Sequence, residues 1–360
     1  MPTIKAAVCH AFGEDLVIED IQIRAPEGRE VEVTLEAVAI CHSDISYAEG
    51  AWGGALPAVY GHEAAGRISA LGSNVEGLAI GDPVVVTLIR SCQTCAPCTS
   101  GHPVRCSTRY DATKGPISGT DGSALTQGLD TGGFAEKVVV EASQVVKLPD
   151  AIPMTAACLL GCGVITGVGA VVNTAGIRAG QNVVVIGAGG VGLNAIQGAR
   201  LAGAANIIAV DMTEEKLDMA MEFGATAAVL GNGHAPWKAA YKAAGRGADA
   251  VFVTVGAIPA YDSAARYLAP GGKLVAVGMP HSGDMAQYEP VVMAALGQGI
   301  QATLMGDVVI QRDIPWMVDL YMQGRLKLDE LVSGTWRFDQ INAAIADTKT
   351  GAAKRNVIVF

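Results

Sequence analysis

The segment Gly187-Ala188-Gly189-Gly190-Val191-Gly192 constrains this chain more than any other feature, because it joins a strand-like run to a helix-like one. Val183–Ile186 reads as a short buried strand and Leu193–Leu201 as an alanine-containing helix. In the pattern G-x-G-x-x-G, the first glycine permits a tight turn. The second lets backbone approach a pyrophosphate, and the third lets helix pack closely on strand. The unpaired N–H groups and positive dipole end of the helix then face the phosphates. Ile207–Val210 reads as the next strand, and Asp211 closes it. Its carboxylate is placed to accept both ribose hydroxyls of a dinucleotide and to repel a 2′-phosphate. Met212 and Thr213 follow, with no arginine, so NAD is expected over NADP. The plainer reading of Asp211 is a helix cap before Glu214.

The pattern continues past this turn. Glu214–Phe223 and Tyr261–Leu268 read as helices, and Ala250–Val253 and Lys273–Val277 as strands. Strand alternating with helix predicts a doubly wound parallel sheet, an α/β Rossmann arrangement. The first 150 or so residues read differently: Val31–Val38 alternates with period two, and Asp82–Leu88 is a buried-type run, so this part is predicted to be β-rich. From about Asp307 the strand–helix alternation is expected to lapse, with a strand-like tail at Asn356–Phe360. At 360 residues, two domains are expected. Half the residues are hydrophobic and 17% charged, which excludes a disordered chain. A net charge of −10 argues against nucleic acid as a partner. No apolar run reaches the roughly 18 residues of a membrane span, and Met1–His10 lacks the pattern of a signal peptide. The expectation is a cytoplasmic protein with no membrane partner.

Eight cysteines sharpen the reading. Cys92, Cys95, Cys98 and Cys106 crowd one segment, and four thiolates on one loop suit a closed, structural tetrahedral zinc. A redox Cys-x-x-Cys and an iron–sulfur cluster are the alternatives. A second, dispersed set comprises Cys41 before His42-Ser43-Asp44, His62 between Gly61 and Glu63, and Cys162 between Gly161 and Gly163. Each has a bland reading as packing or a turn. Together they offer two thiolates and one imidazole, which is the ligation of a catalytic zinc with its fourth position open.

The ordered series Cys41-His-Ser-Asp, Gly61-His62-Glu63-Ala-Ala-Gly66, the four-cysteine loop, Leu129-Asp-Thr-Gly-Gly-Phe134, Leu160-Gly-Cys162-Gly, Gly187–Gly192 and Lys354-Arg355 resembles the zinc-dependent medium-chain alcohol dehydrogenases over nearly the whole chain. The resemblance implies a GroES-like catalytic domain from residues 1–163 and 304–360, with a Rossmann domain at 164–303. It implies Cys41, His62 and Cys162 on a catalytic zinc, and Cys92, Cys95, Cys98 and Cys106 on a structural one. Asp44 would orient the ligating histidine, and Glu63 is the acid behind the metal. His42 and Arg355 would lie beside the cofactor pyrophosphate and Lys216 near the adenosine ribose, while Trp52 and Leu88 fall at substrate-pocket positions. Ser43 would accept the alcohol proton during hydride transfer to NAD. A homodimer or homotetramer acting on a small alcohol or aldehyde is likewise implied.

Two departures bear on function. Ser46 stands where many members carry a relay histidine, which leaves the proton route past Ser43 open. Tyr110 occupies the region where members acting on glutathione adducts carry an arginine. That weakens the alternative of a thiol-adduct (S-hydroxymethyl) formaldehyde dehydrogenase. An enoyl reductase on the same scaffold is a further rival, but such enzymes typically lack the zinc ligands. Cys9 and Cys158 are read as packing.

Overall fold

The computed structural model describes all 360 residues, in two compact units. The first comprises Met1–Cys162 and Val309–Phe360, the second Gly163–Val308. The second boundary falls after Val308 rather than after residue 303, because the 304–308 stretch is built into the second unit. Thr174 Oγ1 donates to Asp307 Oδ2 at 2.7 Å, and Gly306 lies so close to the Ile165 carbonyl that a Cβ would stand 2.3 Å from it.

The second unit is a six-stranded, wholly parallel sheet. Its order is Ala227–Leu230, Asn206–Asp211, Asn182–Ile186, Ala248–Val253, Leu268–Ala276 and Gly299–Ala302. In chain order this is three-two-one-four-five-six, so the direction of winding reverses between Asn182–Ile186 and Ala248–Val253, where such sheets bind ligands. All five residues of Asn182–Ile186 are buried, as a strand covered on both faces requires. The helix after the glycine turn is Gly190–Leu201, three residues longer than predicted, because Gly189 serves as its N-cap. The helix expected at Tyr261–Leu268 is Ile258–Ala264 plus a short turn Ala265–Tyr267, and Leu268 opens the next strand.

The first unit is β-rich, with one five-stranded and one seven-stranded sheet over a shared hydrophobic core that includes Val8, Ile21, Val33, Ile68 and Phe134. Strand Glu30–Ala39 is central to the larger sheet, pairing with Glu63–Leu71, Lys137–Glu141 and Arg355–Val359. The expected lapse of alternation after Asp307 is not what the chain does. Val332–Arg337, helix Ile341–Lys349 and Arg355–Val359 form one more strand–helix–strand crossover, with the two strands parallel. Val332–Arg337 alternates between half-buried and exposed, so it offers no apolar run to betray it. No single helix is long and apolar enough to cross a membrane.

Candidate functional site

Strand register assembles the first cluster. Ala39 pairs with Glu63 on one side and with Val357 on the other. Cys41, two residues beyond Ala39, therefore meets His62 and Glu63 at the start of one neighbouring strand and Arg355 at the start of the other. Cys162 arrives from a different direction. Gly161 packs so tightly that a Cβ would stand 2.9 Å from both Glu63 Cα and the Val86 carbonyl, so glycine is what lets this segment close in. The ligand atoms of Cys41, His62, Glu63 and Cys162 all lie within 4.8 Å of one another, and all four residues are buried.

Asp44 organises the cluster. Its Oδ2 accepts from the Cys41 N–H at 3.1 Å, and its Oδ1 accepts from the Gly61 N–H at 2.9 Å and from His62 Nδ1 at 2.8 Å. A carboxylate can only accept, so Nδ1 carries the ring proton and Nε2 is left as a base. That Nε2 is buried with no hydrogen-bond partner. Gly61 makes this possible: its φ is +91°, and a Cβ would stand 2.6 Å from the Phe134 nitrogen. Burial opposes a charged His62, but the Asp44 carboxylate outweighs it and holds the imidazole pKa well above its ordinary value. A hydrogen bond with Cys162 holds the Cys41 thiol well below its usual range, while the same bond and burial push Cys162 up. Burial pushes Glu63 up to about 8 against the attraction of Arg355, whose Nη2 is 3.6 Å from Glu63 Oε1. Both Glu63 oxygens and Arg355 Nη2 lack hydrogen bonds. Buried polar atoms in native structures are rarely left so. Two thiols, an orphaned imidazole nitrogen and a nearby carboxylate are a donor set that fits a zinc ion.

The crowded cysteines form a second cluster, with ligand atoms also within 4.8 Å of one another and no disulfide among them. The Cys92 N–H donates to Cys106 Sγ and the Cys95 N–H to Cys92 Sγ, each at 3.3 Å. Hydrogen bonds from Thr108 and Thr94 hold the Cys92 thiol down to about 5, whereas burial and the Cys95 thiol push Cys98 up to about 12. Backbone N–H groups aimed at sulfur stabilise thiolates, the form that binds metal.

In the second unit the first and third glycines of the turn meet the tight geometry expected of them. Gly187 has φ +97°, and a Cβ there would stand 2.4 Å from Val255. A Cβ on Gly192 would stand 1.8 Å from the Gly187 carbonyl. Nothing lies within 4 Å of a Cβ on Gly189, so this side is open to a ligand. Asp211 is not the helix cap, a place that Thr213 takes. Its Oδ2 accepts from the Ala188 N–H and its Oδ1 from the Met212 N–H, each at 2.7 Å, so its carboxylate sits at the turn itself. Lys216 is half-buried on helix Glu214–Phe223.

The remaining predicted residues divide. His42 is exposed at the start of helix His42–Ala48, whose cap is Cys41. Ser43 and Ser46 are half-buried one turn apart on that helix, hence on one face. Arg355 is buried against Glu63 rather than standing on an open face. Leu88 lines a cavity of about 270 Å³, together with Tyr47, Tyr60, Gly128, Leu129 and Asp130. Trp52 does not line it but packs edge-on against Tyr47 with ring centroids 5.1 Å apart. Tyr110 lies under the Arg90 guanidinium at 4.1 Å and donates its hydroxyl to Gln127. Tyr47, Tyr60 and Asp130 were not singled out from sequence. Tyr47 follows Ser43 by one helical turn and Tyr60 precedes Gly61-His62, so proximity to the motifs was the one available signal.

Residues 27–150 match the alcohol dehydrogenase GroES-like domain and residues 190–323 the zinc-binding dehydrogenase domain. The chain is 34% identical to an NDMA-dependent alcohol dehydrogenase of Amycolatopsis methanolica, covering 99% of this chain and 98% of that one. It is 33% identical to a geraniol dehydrogenase of Castellaniella defragrans, covering 99% and 97%. The crystal structure of benzyl alcohol dehydrogenase from Acinetobacter calcoaceticus superposes with a TM-score of 0.94 at 32% identity, with all of both chains covered. With two matched domains in the expected order and full-length relatives above 30% identity, the chain belongs to the zinc-dependent medium-chain alcohol dehydrogenase family.

Proposed function

We propose that this alcohol dehydrogenase interconverts primary or secondary alcohols with aldehydes or ketones using NAD, and that it holds two zinc ions per chain. The observation that carries this is His62 Nε2, buried, unpartnered and gathered with two thiols. Cys41, His62 and Cys162 would hold the catalytic ion, and Cys92, Cys95, Cys98 and Cys106 the structural one. Zinc supplies Lewis acidity there, drawing the pKa of a hydroxyl toward neutrality. The Gly187–Gly192 turn would hold NAD, which would supply the hydride acceptor.

The residues do the rest. Asp44 fixes the His62 tautomer and keeps Nε2 aimed at the thiols. Ser43 Oγ takes the alcohol proton while passing its own onward. Ser46 has no titratable group near neutrality, so water beside this helix face takes the proton out. Asp211 without a following basic residue favours NAD. We further propose a homodimer or homotetramer. Helix Pro290–Leu296 exposes Val291, Val292 and Leu296, and Ile300 is exposed on the edge strand Gly299–Ala302, an apolar face that a second copy would cover. A small-molecule substrate and a cytoplasmic location complete the reading.

Metal analysis with an NAD-reduction assay over a panel of alcohols and aldehydes, with and without free thiols, tests it. Two zinc ions per active chain and thiol-independent alcohol oxidation are expected. Turnover only with thiol adducts, or activity after zinc is stripped, would refute it.

A further inference from the structure

Asp130 is the one charged residue that lines the cavity beside Leu88; it also borders the adjoining space lined by Arg109 and Tyr110, and its carboxylate has no hydrogen bond or ion pair within 4.0 Å. The other polar side chains among the lining residues are those of Thr126 and Gln127 and the hydroxyls of Tyr47 and Tyr60. Gln127 spends its whole amide: Nε2 donates to the Thr131 and Val139 carbonyls at 3.0 and 2.9 Å, and Oε1 accepts from Tyr110. The nearby cation, Arg90, lies over the Tyr110 ring rather than on Asp130. Burial accordingly raises the Asp130 carboxyl above its ordinary range, with Arg90 opposing only in part. Leu129 and Asp130 both hold left-handed backbone, φ +52° and +54°, a conformation costly for leucine. The Asp130 carbonyl is tied to Gln144 Nε2 at 2.9 Å, which fixes this strained pair at the cavity edge. The same cavity is lined by Tyr47 and Tyr60, stacked with centroids 6.1 Å apart.

An unpaired, half-buried carboxylate is unfavourable unless a ligand completes it. Electron-rich ring faces favour cations in the same place. We propose that this cavity selects alcohols bearing an ammonium group remote from the reacting hydroxyl, with Asp130 as counter-ion and the rings of Tyr47 and Tyr60 beside it. The inference rests on the reading of this chain as an alcohol dehydrogenase whose cavity beside Leu88 receives the substrate. Tyr110 and Arg90 act only as positioning residues: Tyr110 holds Gln127, and Arg90 is drawn onto the Tyr110 ring rather than onto Asp130.

The test compares kcat/KM for a series of ω-amino alcohols with n-alcohols of matched length, in the unmodified holoenzyme and in Asp130→Asn. Asparagine tolerates the left-handed backbone, so the fold is kept while the charge is removed. The unmodified enzyme is expected to favour the ammonium member of some matched pair. The ratio of ammonium to neutral kcat/KM should fall about 10- to 100-fold in Asp130→Asn, the range for hydrogen bonds to charged groups. A preference for neutral alcohols throughout, or a ratio that Asp130→Asn leaves unmoved, overturns the inference while leaving the alcohol dehydrogenase reading intact. Calorimetric titration with n-butylammonium reads the site without turnover. If no alcohol is oxidised, the alcohol reading fails, and binding that Asp130→Asn abolishes still supports the cation site. Equal or absent binding in both proteins overturns it.

Discussion

Asp44→Asn probes the centre of the candidate metal cluster with a change of one atom. The carboxylate now receives three donors, from Cys41, Gly61 and His62, and the whole arrangement is buried. Asparagine has one oxygen. If that oxygen faces Gly61 and His62, its amide nitrogen confronts the Cys41 N–H, donor against donor. The orphaned N–H costs about 1–3 kcal/mol. The two surviving bonds change from charge-assisted to neutral, roughly halving each and losing about 0.5–1.5 kcal/mol apiece. The sum is about 2–6 kcal/mol, divided between stability and metal binding. Loss of such a supporting acceptor weakens metal affinity about 10- to 100-fold. A domain of this size shifts by about 2–4 °C in Tm for each kcal/mol lost. Zinc competition against a chromophoric chelator reads the affinity, and thermal unfolding of metal-loaded and stripped protein reads the rest. Zinc affinity within a factor of about two of the unmodified protein, with unchanged Tm, would refute the assignment of Asp44 as the group that fixes His62.

The two candidate metal clusters should separate by mutation. Cys41→Ser should abolish turnover while circular dichroism stays native, whereas Cys95→Ser should lower Tm and zinc content together, because a closed metal site contributes folding free energy. Asp211→Gly should narrow the ratio of NAD to NADP turnover, and equal use of both cofactors by the unmodified protein would defeat the idea. Ser43→Ala should reduce turnover by about 10²–10⁴-fold at full zinc content, and Ser43→Thr should keep most of it. Near-normal turnover in Ser43→Ala would mean the proton leaves elsewhere.

What could be read directly from sequence was local. The turn at Gly187–Gly192 is legible because each glycine answers to a neighbour a few residues away or to open space. The residues of the two candidate metal clusters were legible as residue types, but not their meeting. That depends on Ala39 pairing with both Glu63 and Val357 and on Gly161 closing against Val86, contacts between segments far apart in the chain. Asp130 escaped notice because nothing in Leu129-Asp-Thr-Gly-Gly tells a turn aspartate from a cavity wall. Trp52 packs edge-on against Tyr47, a contact between helix and following loop that the residue type alone does not foretell.

The position of Arg355–Val359 governs the order in which the protein can be made. This strand lies between Glu30–Ala39 and Val332–Arg337, so the larger sheet of the first unit draws adjacent strands from nearly opposite ends of the chain. A ribosome that has delivered the β-rich N-terminal segment has delivered a sheet with a gap, and that gap stays open while the intervening unit is synthesised. The second unit is one contiguous stretch and can close as soon as Val308 emerges. Such long-range closure makes the first unit the slow step of folding. For that interval the Ala37–Ala39 end of strand Glu30–Ala39, the part that Val357–Val359 covers, stands unpaired along that edge, open to any other strand that reaches it first. Chaperone demand should therefore concentrate on nascent chains that have passed Val308 but not yet released Val359.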